Sequence, residues 1–392
     1  MATAPGTWSW RSGSKPADPG LEAVTGSFTA VGWTAAQKAE NPTRCGMIRP
    51  SANGHAFQYA DGTPFLLIGD TWWATPTFRF RWRDDDTLRP TGPEAGFKEF
   101  VAYRRKQEFN CVALLAALPN WGHTDKARWL GFHQIGNLRT HDSYALLTEI
   151  FKTNPAVPAI NGEPYYDGME NIEGGSEEAA AYCRSAMYGS ILSGGLGGHI
   201  YGVGGWNGGV WSGEVEEASK VPRWKVFQWP SGDQMRHLKT FILSEGRRYQ
   251  DLTPCADRIS PSQSAGPKGI SGWAYGAATP EQDLLLLYFE RDCPEAAVTG
   301  AKANARYAAH WFDPRKGRWA GRFRCRTRRR YVRQDCVAAI PQSDGQIGYG
   351  LGAEAHTGRQ PVARRTLRQS DARQRLPIDT PDCGLVPSRH AW

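Results

Sequence analysis

Apolar and polar positions divide the chain into stretches of different character. Up to about residue 33 the pattern alternates: Trp8-Ser9-Trp10 and Gly26-Ser27-Phe28-Thr29-Ala30-Val31 flank a Gly/Pro/Asp-rich loop, which predicts a hairpin. Residues 34–45 read as a polar connector. From about 46 to 250, continuous apolar runs alternate with helical periodicity. HAFQYADGTPFLLIGDTWW predicts a hairpin with Asp61-Gly62 in a tight type I′ turn, its second arm, Pro64 to Ile68, being one apolar strand. A helix is predicted over 93–109, a buried strand from Asn110 to Pro119 and a helix near 141–152. The short strand Pro158-Ala159-Ile160 is stopped by Asn161-Gly162-Glu163-Pro164. Ser176 with Glu177 and Glu178 can open a helix in which Tyr182, Met187, Tyr188 and Ile191 recur on one side. SGGLGGHIYGVGGW then surrounds a strand with glycine, and 222–243 reads as a helix with Trp224, Phe227, Met235, Leu238 and Phe241 on its buried face.

Beyond 250 the period changes to that of strands: SGWAYGAAT, DLLLLYFERD, and RYAAHWFDPRKGRWAGRF with a turn at Asp313 to Gly317. From about 321 no sustained period remains. The expected divisions are 1–45 (end of a β-sandwich and connector), 46–250 (an α/β unit), 251–320 (a β domain) and 321–392 (an Arg-rich irregular tail).

The formal charge of +8 raises nucleic acid as a partner, until its distribution is examined. Residues 321–392 hold 14 Arg, no Lys and 6 acids, the whole of the surplus, so the body is neutral and no nucleic-acid partner is expected. Eight cysteines stand singly, without the paired spacing of a zinc ribbon or redox motif, and neither metal nor cofactor is called for. The start, MATAPGTWSWRSGSK, has no apolar leader core, and no run approaches the roughly twenty apolar residues of a membrane span. No membrane association is expected, and the cytoplasm is the default compartment.

Candidate chemistry sits at strand ends. Glu163 follows one apolar run beside Tyr165, and Asp70 follows another beside Trp72 and Trp73. In a (β/α)8 barrel, acids at the carboxyl ends of strands are the usual seat of catalysis. Sixteen Trp and fourteen Tyr supply faces on which sugars stack, although aromatic-rich cores use them equally well.

The order GDTWW, FNCVALLAALPNW, FHQIGN, INGEPYYDG and LSGGLGGHIYG resembles the apiosidase-like glycoside hydrolases. GTWSWRSGS and GSFTAV resemble the end of the β-sandwich that precedes that barrel in one subgroup. DLLLLYFERDCPEAAVTG with HWFDPRKGRW resembles the β-domain that follows it, known in the family as a collagen-binding domain. The resemblance implies an α/β, (β/α)8 TIM-barrel-type glycosidase acting on complex carbohydrate, with Glu163 as nucleophile. Asp70, Trp72 and Trp73 match the first-strand motif lining the sugar site, and His199, Tyr201 and Trp206 match the last-strand exit. His133 and Tyr165, in FHQIGN and INGEPYYDG, join the substrate-binding set, and Asp70 is the second candidate catalytic carboxylate.

Only about 95 residues separate the strand at 64–68 from Glu163. The family places Glu163 late in the barrel, so about five βα repeats, each on the order of 30 residues, belong in that interval. The sequence supplies about two. The join falls at Trp121-Gly122-His123, and the family's acid/base aspartate belongs to the absent middle. Asp70, Asp125, Asp142 and Asp167 remain, and none matches it by motif. Two functions follow, a glycoside hydrolase homologue or a carbohydrate-binding remnant without general acid, together with self-association through unclosed barrel edges.

Overall fold

The computed structural model describes residues 5–71, 97–113, 132–136, 143–169, 172–203, 226, 228–260, 269–291, 293, 296–302, 306–326, 336–338 and 349–355. Strands β1 (Gly6–Arg11) and β2 (Thr25–Ala30) form the hairpin expected from their alternation, with Trp8 opposite Phe28 and the Trp10 ring lying over Gly26. The connector after it is ordered locally. Helix α1 (Ala35–Glu40) is set by a capping box in which Thr34 and Gln37 each accept the other's backbone N–H.

Strands β3 (Ile48–Pro50), β4 (Phe57–Tyr59) and β5 (Pro64–Phe65) make a small antiparallel sheet. Its turn is not the expected type I′, which needs positive φ at two successive residues. Only Gly62 is left-handed, at φ +89°. Gly62 N–H donates to the Tyr59 carbonyl and Tyr59 N–H to that of Thr63, closing a three-residue loop. Asp61 instead receives Lys38 Nζ at 2.6 Å and Thr63 N–H at 3.0 Å. Nor is Pro64 to Ile68 one strand. It divides at Leu66, and β6 (Leu67–Thr71) enters a different sheet.

That second sheet is parallel. Between its strands run α2 (Phe97–Lys106), β7 (Cys111–Ala113), β8 (His133–Gly136), α3 (Ser143–Phe151), β9 (Ala159–Glu163), α4 (Glu177–Leu192), β10 (Gly198–Tyr201) and α5 (Pro230–Ile242). The strand order is β7-β6-β10-β9-β8, all pairs parallel. Among the described residues β7 and β8 pair on one side only. Val112 of β7, a strand expected to be buried, is exposed. Helix α4 starts where Ser176 accepts Ala179 N–H, with Glu177 and Glu178 favourably placed in its first turn. It is buried on nearly every side because it lies between two sheets. Helix α5 begins at Pro230, later than expected. Residues 228 and 229 are not helical, consistent with the bias that proline imposes on the residue before it, and 222–225 lie outside the described residues.

The remaining strands are antiparallel: β11 (Thr253–Pro254), β12 (Ile259–Ser260), β13 (Ala274–Ala278), β14 (Leu284–Phe289), β15 (Ala296–Val298), β16 (Arg306–Asp313), β17 (Arg318–Arg326), β18 (Cys336–Ala338) and β19 (Tyr349–Ala355). Six form a sheet in the order β11-β13-β14-β19-β16-β17, and β12-β15-β18 form a second. In β14, Leu284, Leu286 and Tyr288 join the core shared with α4 and α5, while Leu285, Leu287 and Phe289 pack toward Ile259, Ala296 and Val298. A strand covered on both faces reads as an unbroken apolar run. The absence of period after 321 does not mark an end of regular structure: β17 continues to Arg326 and β19 is an interior strand. No described helix is long and apolar enough to cross a membrane.

Candidate active site at the carboxyl edge of the parallel sheet

Alternation along each strand sends side chains to opposite faces of the parallel sheet. One face meets the helices. There Asn161 Nδ2 donates to Ser190 Oγ of α4 at 2.9 Å, and Ile68 and Tyr201 join the core with α4 and α5. The other face packs Leu67, Ile160 and Ile200 against Phe57, Tyr59 and Phe65 of the small antiparallel sheet.

Asp70 lies opposite Tyr201 in the register and turns to the helix side. It is 3% exposed and accepts Arg104 Nε of α2 at 2.8 Å. The Arg104 guanidinium also donates to Gln107 Oε1 and lies 5.3 Å from the Tyr201 ring centre. Tyr201 Oη is 2.9 Å from Ser231 Oγ of α5, and the Ser231 hydroxyl donates to Asp167 Oδ2. Asp167 Oδ1 takes Gly175 N–H at 2.7 Å, and its backbone bridges to Val203 beyond β10. Burial pushes the Asp167 carboxyl up to about 6, against the two hydrogen bonds that pull it down. His199, opposite Ile68 and Asn161, is on this face too, wholly buried, and burial pushes it down to about 3, so the ring is neutral.

Glu163 would follow Asn161 to the helix side if β9 were regular, but its register shifts. Ile135 pairs with Asn161 and the next residue, Gly136, pairs with Glu163, which makes Gly162 the extra residue of a bulge. A Cβ on Gly162 would meet the Gln134 side chain at 2.2 Å, and one on Gly136 would meet Glu163 Cβ at 2.8 Å. Gly162 and Glu163 therefore both point to the face away from the helices. Glu163 keeps partial solvent access there. Tyr166 lies on the same face: its ring fills the space a Cβ on Gly202 would take, at 2.5 Å, and its hydroxyl is 3.0 Å from Thr71 Oγ1.

The candidate residues thus separate. Asp70, His199 and Tyr201 sit under the sheet, and Glu163 sits over it. Tyr165 is core, its ring 5.3 Å from Tyr182 and its hydroxyl donating to the Met169 carbonyl. His133 is exposed at the amino end of β8, opposite Ala159, and lies three residues before Gly136, the partner of Glu163, or about 10 Å along β8 at about 3.3 Å per residue. Trp72, Trp73, Trp206, Asp125 and Asp142 lie outside the described residues. Tyr166 and Thr71 are additions to the sequence-derived set. Their one signal was the glycine at 202, whose missing side chain admits the Tyr166 ring. No cluster of three or more metal-binding side chains occurs among the described residues.

Solved structures share the fold. A protein named glycoside hydrolase superposes with TM-score 0.59 at 14% identity, covering 81% of this chain and 99% of its own. A glycoside hydrolase family 5 protein from Bacteroides vulgatus ATCC 8482 gives TM-score 0.58 at 14% identity, with 80% and 94% covered. Residues 117–248 match the family described as "Apiosidase-like, catalytic domain". No curated protein matches the chain.

Proposed function

We propose that the protein is a glycoside hydrolase homologue acting on complex carbohydrate, with Glu163 as the nucleophile of a retaining reaction. The observation that carries this is the Gly162 bulge, which turns the strand-end glutamate away from the helices. In this reading residues 46–250 are an incomplete (β/α)8 barrel with five parallel strands among the described residues, followed by the antiparallel region from 251 to 355. Glu163 attacks the anomeric carbon, the glycosidic bond breaks, and a covalent glycosyl-enzyme forms that water then hydrolyses. Aromatic faces at this rim stack on the sugar. Among the described residues β7 and β8 pair on one side only, and a second copy can add to those edges.

A second reading, sugar binding without efficient turnover, is favoured by Asp70. Retaining enzymes need two carboxyls about 5–5.5 Å apart. Asp70 is engaged by Arg104 on the opposite face, which removes it as proton donor to the leaving group. General acid help is worth roughly 100- to 10,000-fold. The test is hydrolysis of p-nitrophenyl glycosides against natural oligosaccharides. Slow release of p-nitrophenol, abolished by Glu163→Gln, with natural glycans untouched, is the expected result. Turnover of aryl glycosides that survives Glu163→Gln sinks the assignment of the nucleophile. Brisk cleavage of natural glycans sinks the second reading.

A further inference from the structure

Glu163 ends β9, and Pro164, Tyr165 and Tyr166 separate it from Asp167, whose side chain is wholly buried. This short strap leaves one strand and is tied down at its far end. Asp167 N–H donates to the Gly202 carbonyl at 3.1 Å, and the residue bridges in parallel to Val203, past the end of β10. The carboxylate adds two ties. Its Oδ1 accepts Gly175 N–H at 2.7 Å, next to Ser176, which caps α4. Its Oδ2 accepts the Ser231 hydroxyl from the first turn of α5. One residue thus fastens the strap in three places.

The contacts around Asp167 leave little room for adjustment. Gly168 and Gly175 take positive φ, +87° and +76°, and a Cβ on Gly168 would meet Gly174 Cα at 3.1 Å. The Gly174-Gly175 turn lies against the Trp229 indole, where a Cβ on Gly174 would meet Cη2 at 2.1 Å. Ser231 is wholly buried and gives its one hydroxyl proton to Asp167, so its oxygen accepts from Tyr201 Oη, 2.9 Å away. That order of protons runs toward an acceptor at 167, and Asp167 supplies it.

We infer that Asp167 is a positioning residue for Glu163: by tying the strap to the exit of β10, to the turn before α4 and to the first turn of α5, it fixes where the Glu163 carboxylate stands. The inference deepens the assignment of Glu163 as nucleophile and rests on it. Asp167 is closed to solvent and acts only through the backbone that joins it to Glu163. Gly162 sets the side of the sheet on which Glu163 emerges, and Asp167 limits how far the chain can shift there. A reacting group misplaced by about 1 Å loses on the order of 100-fold in rate.

Turnover of a p-nitrophenyl glycoside and amide hydrogen exchange, measured on the same proteins, test this. Asp167→Ala should lower kcat about 100-fold with KM nearly unchanged. It should also speed exchange at Gly175 and at residues 165–169 about tenfold, while amides of β10 and of the later turns of α4 exchange as in the wild type. Asp167→Asn keeps the shape and an oxygen for Gly175 N–H, so it should recover most of both losses. Ser231→Ala removes one hydrogen bond to the carboxylate, should cost about tenfold in kcat, and serves if Asp167→Ala does not fold. Unchanged exchange in the strap, or a loosened strap with unchanged kcat, overturns the inference. Exchange that rises equally throughout the chain also overturns it, because Asp167 then supports the fold as a whole. Wild-type turnover that is absent, or that survives Glu163→Gln, sinks the nucleophile itself and the positioning role with it, whatever the Asp167 variants show.

Discussion

The two faces of the parallel sheet treat the same kind of sequence position in opposite ways. Asp70 ends β6 and Glu163 ends β9, both after apolar runs and both beside aromatics. Asp70 keeps its strand's alternation and enters the helix layer, where Arg104 Nε meets it at 2.8 Å. Glu163 follows a bulge and emerges on the other side. A strand-end acid therefore turns toward the helices or away from them according to one inserted residue. The helix face is wired from Asp70 through Arg104 and Tyr201 to Ser231 and Asp167, and the other face holds the pairing of Thr71 with Tyr166.

The contrast can be broken by mutation. Asp70→Ala removes the carboxylate that meets the buried Arg104 guanidinium and should cost about 3–5 kcal/mol in urea unfolding. A loss under about 1 kcal/mol would mean that the helix face is not dry. Next in size is Asp167. Its folded value, about 6, stands above the unfolded value near 3.9, so the wild type should lose on the order of 2–3 kcal/mol as pH rises from about 4 to 6. Asp167→Asn should flatten that slope in chemical unfolding followed across pH, and an unchanged slope would assign it to another group. On the opposite face, Tyr166→Phe removes one partner of the Thr71 hydroxyl and should cost about 1 kcal/mol. Smallest is Glu163→Gln, expected within about 0.5 kcal/mol of wild type because the site is partly solvated. Destabilisation comparable to that of Asp70→Ala would erase the distinction between the faces.

Much of the framework is legible from the residues. Ser176 starts α4, the Asp313 to Gly317 turn joins β16 to β17, and the apolar runs before Asp70 and Glu163 are strands. Features set by partners rather than by local pattern are not legible. The apolar run through Leu66 hides a change of sheet, because hydrophobicity does not name the neighbouring strand. Alternation says that Asp70 and Tyr201, once paired, share a face, but not that this face meets the helices. The bulge at Gly162 is a matter of register against β8 and leaves no period in β9. Tyr165 and Tyr166 are adjacent, identical and both buried in one core cluster, yet Tyr165 Oη donates to the Met169 carbonyl and Tyr166 Oη meets Thr71 Oγ1. Only the Gly202 gap distinguishes them.

The position of β19 has a consequence for the order in which the protein is made. Tyr349–Ala355 hydrogen-bonds to β14 on one side and to β16 on the other, joining β11, β13 and β14 to the β16-β17 hairpin. On the ribosome, β14 and the β16-β17 hairpin must therefore wait, with backbone edges open, until the chain has been extended past Ala355. Such late, non-local closure slows folding and lengthens exposure to aggregation. A nascent chain stalled before residue 349 would present two complementary strand edges, and a holdase that covers them would be needed most at that moment of synthesis.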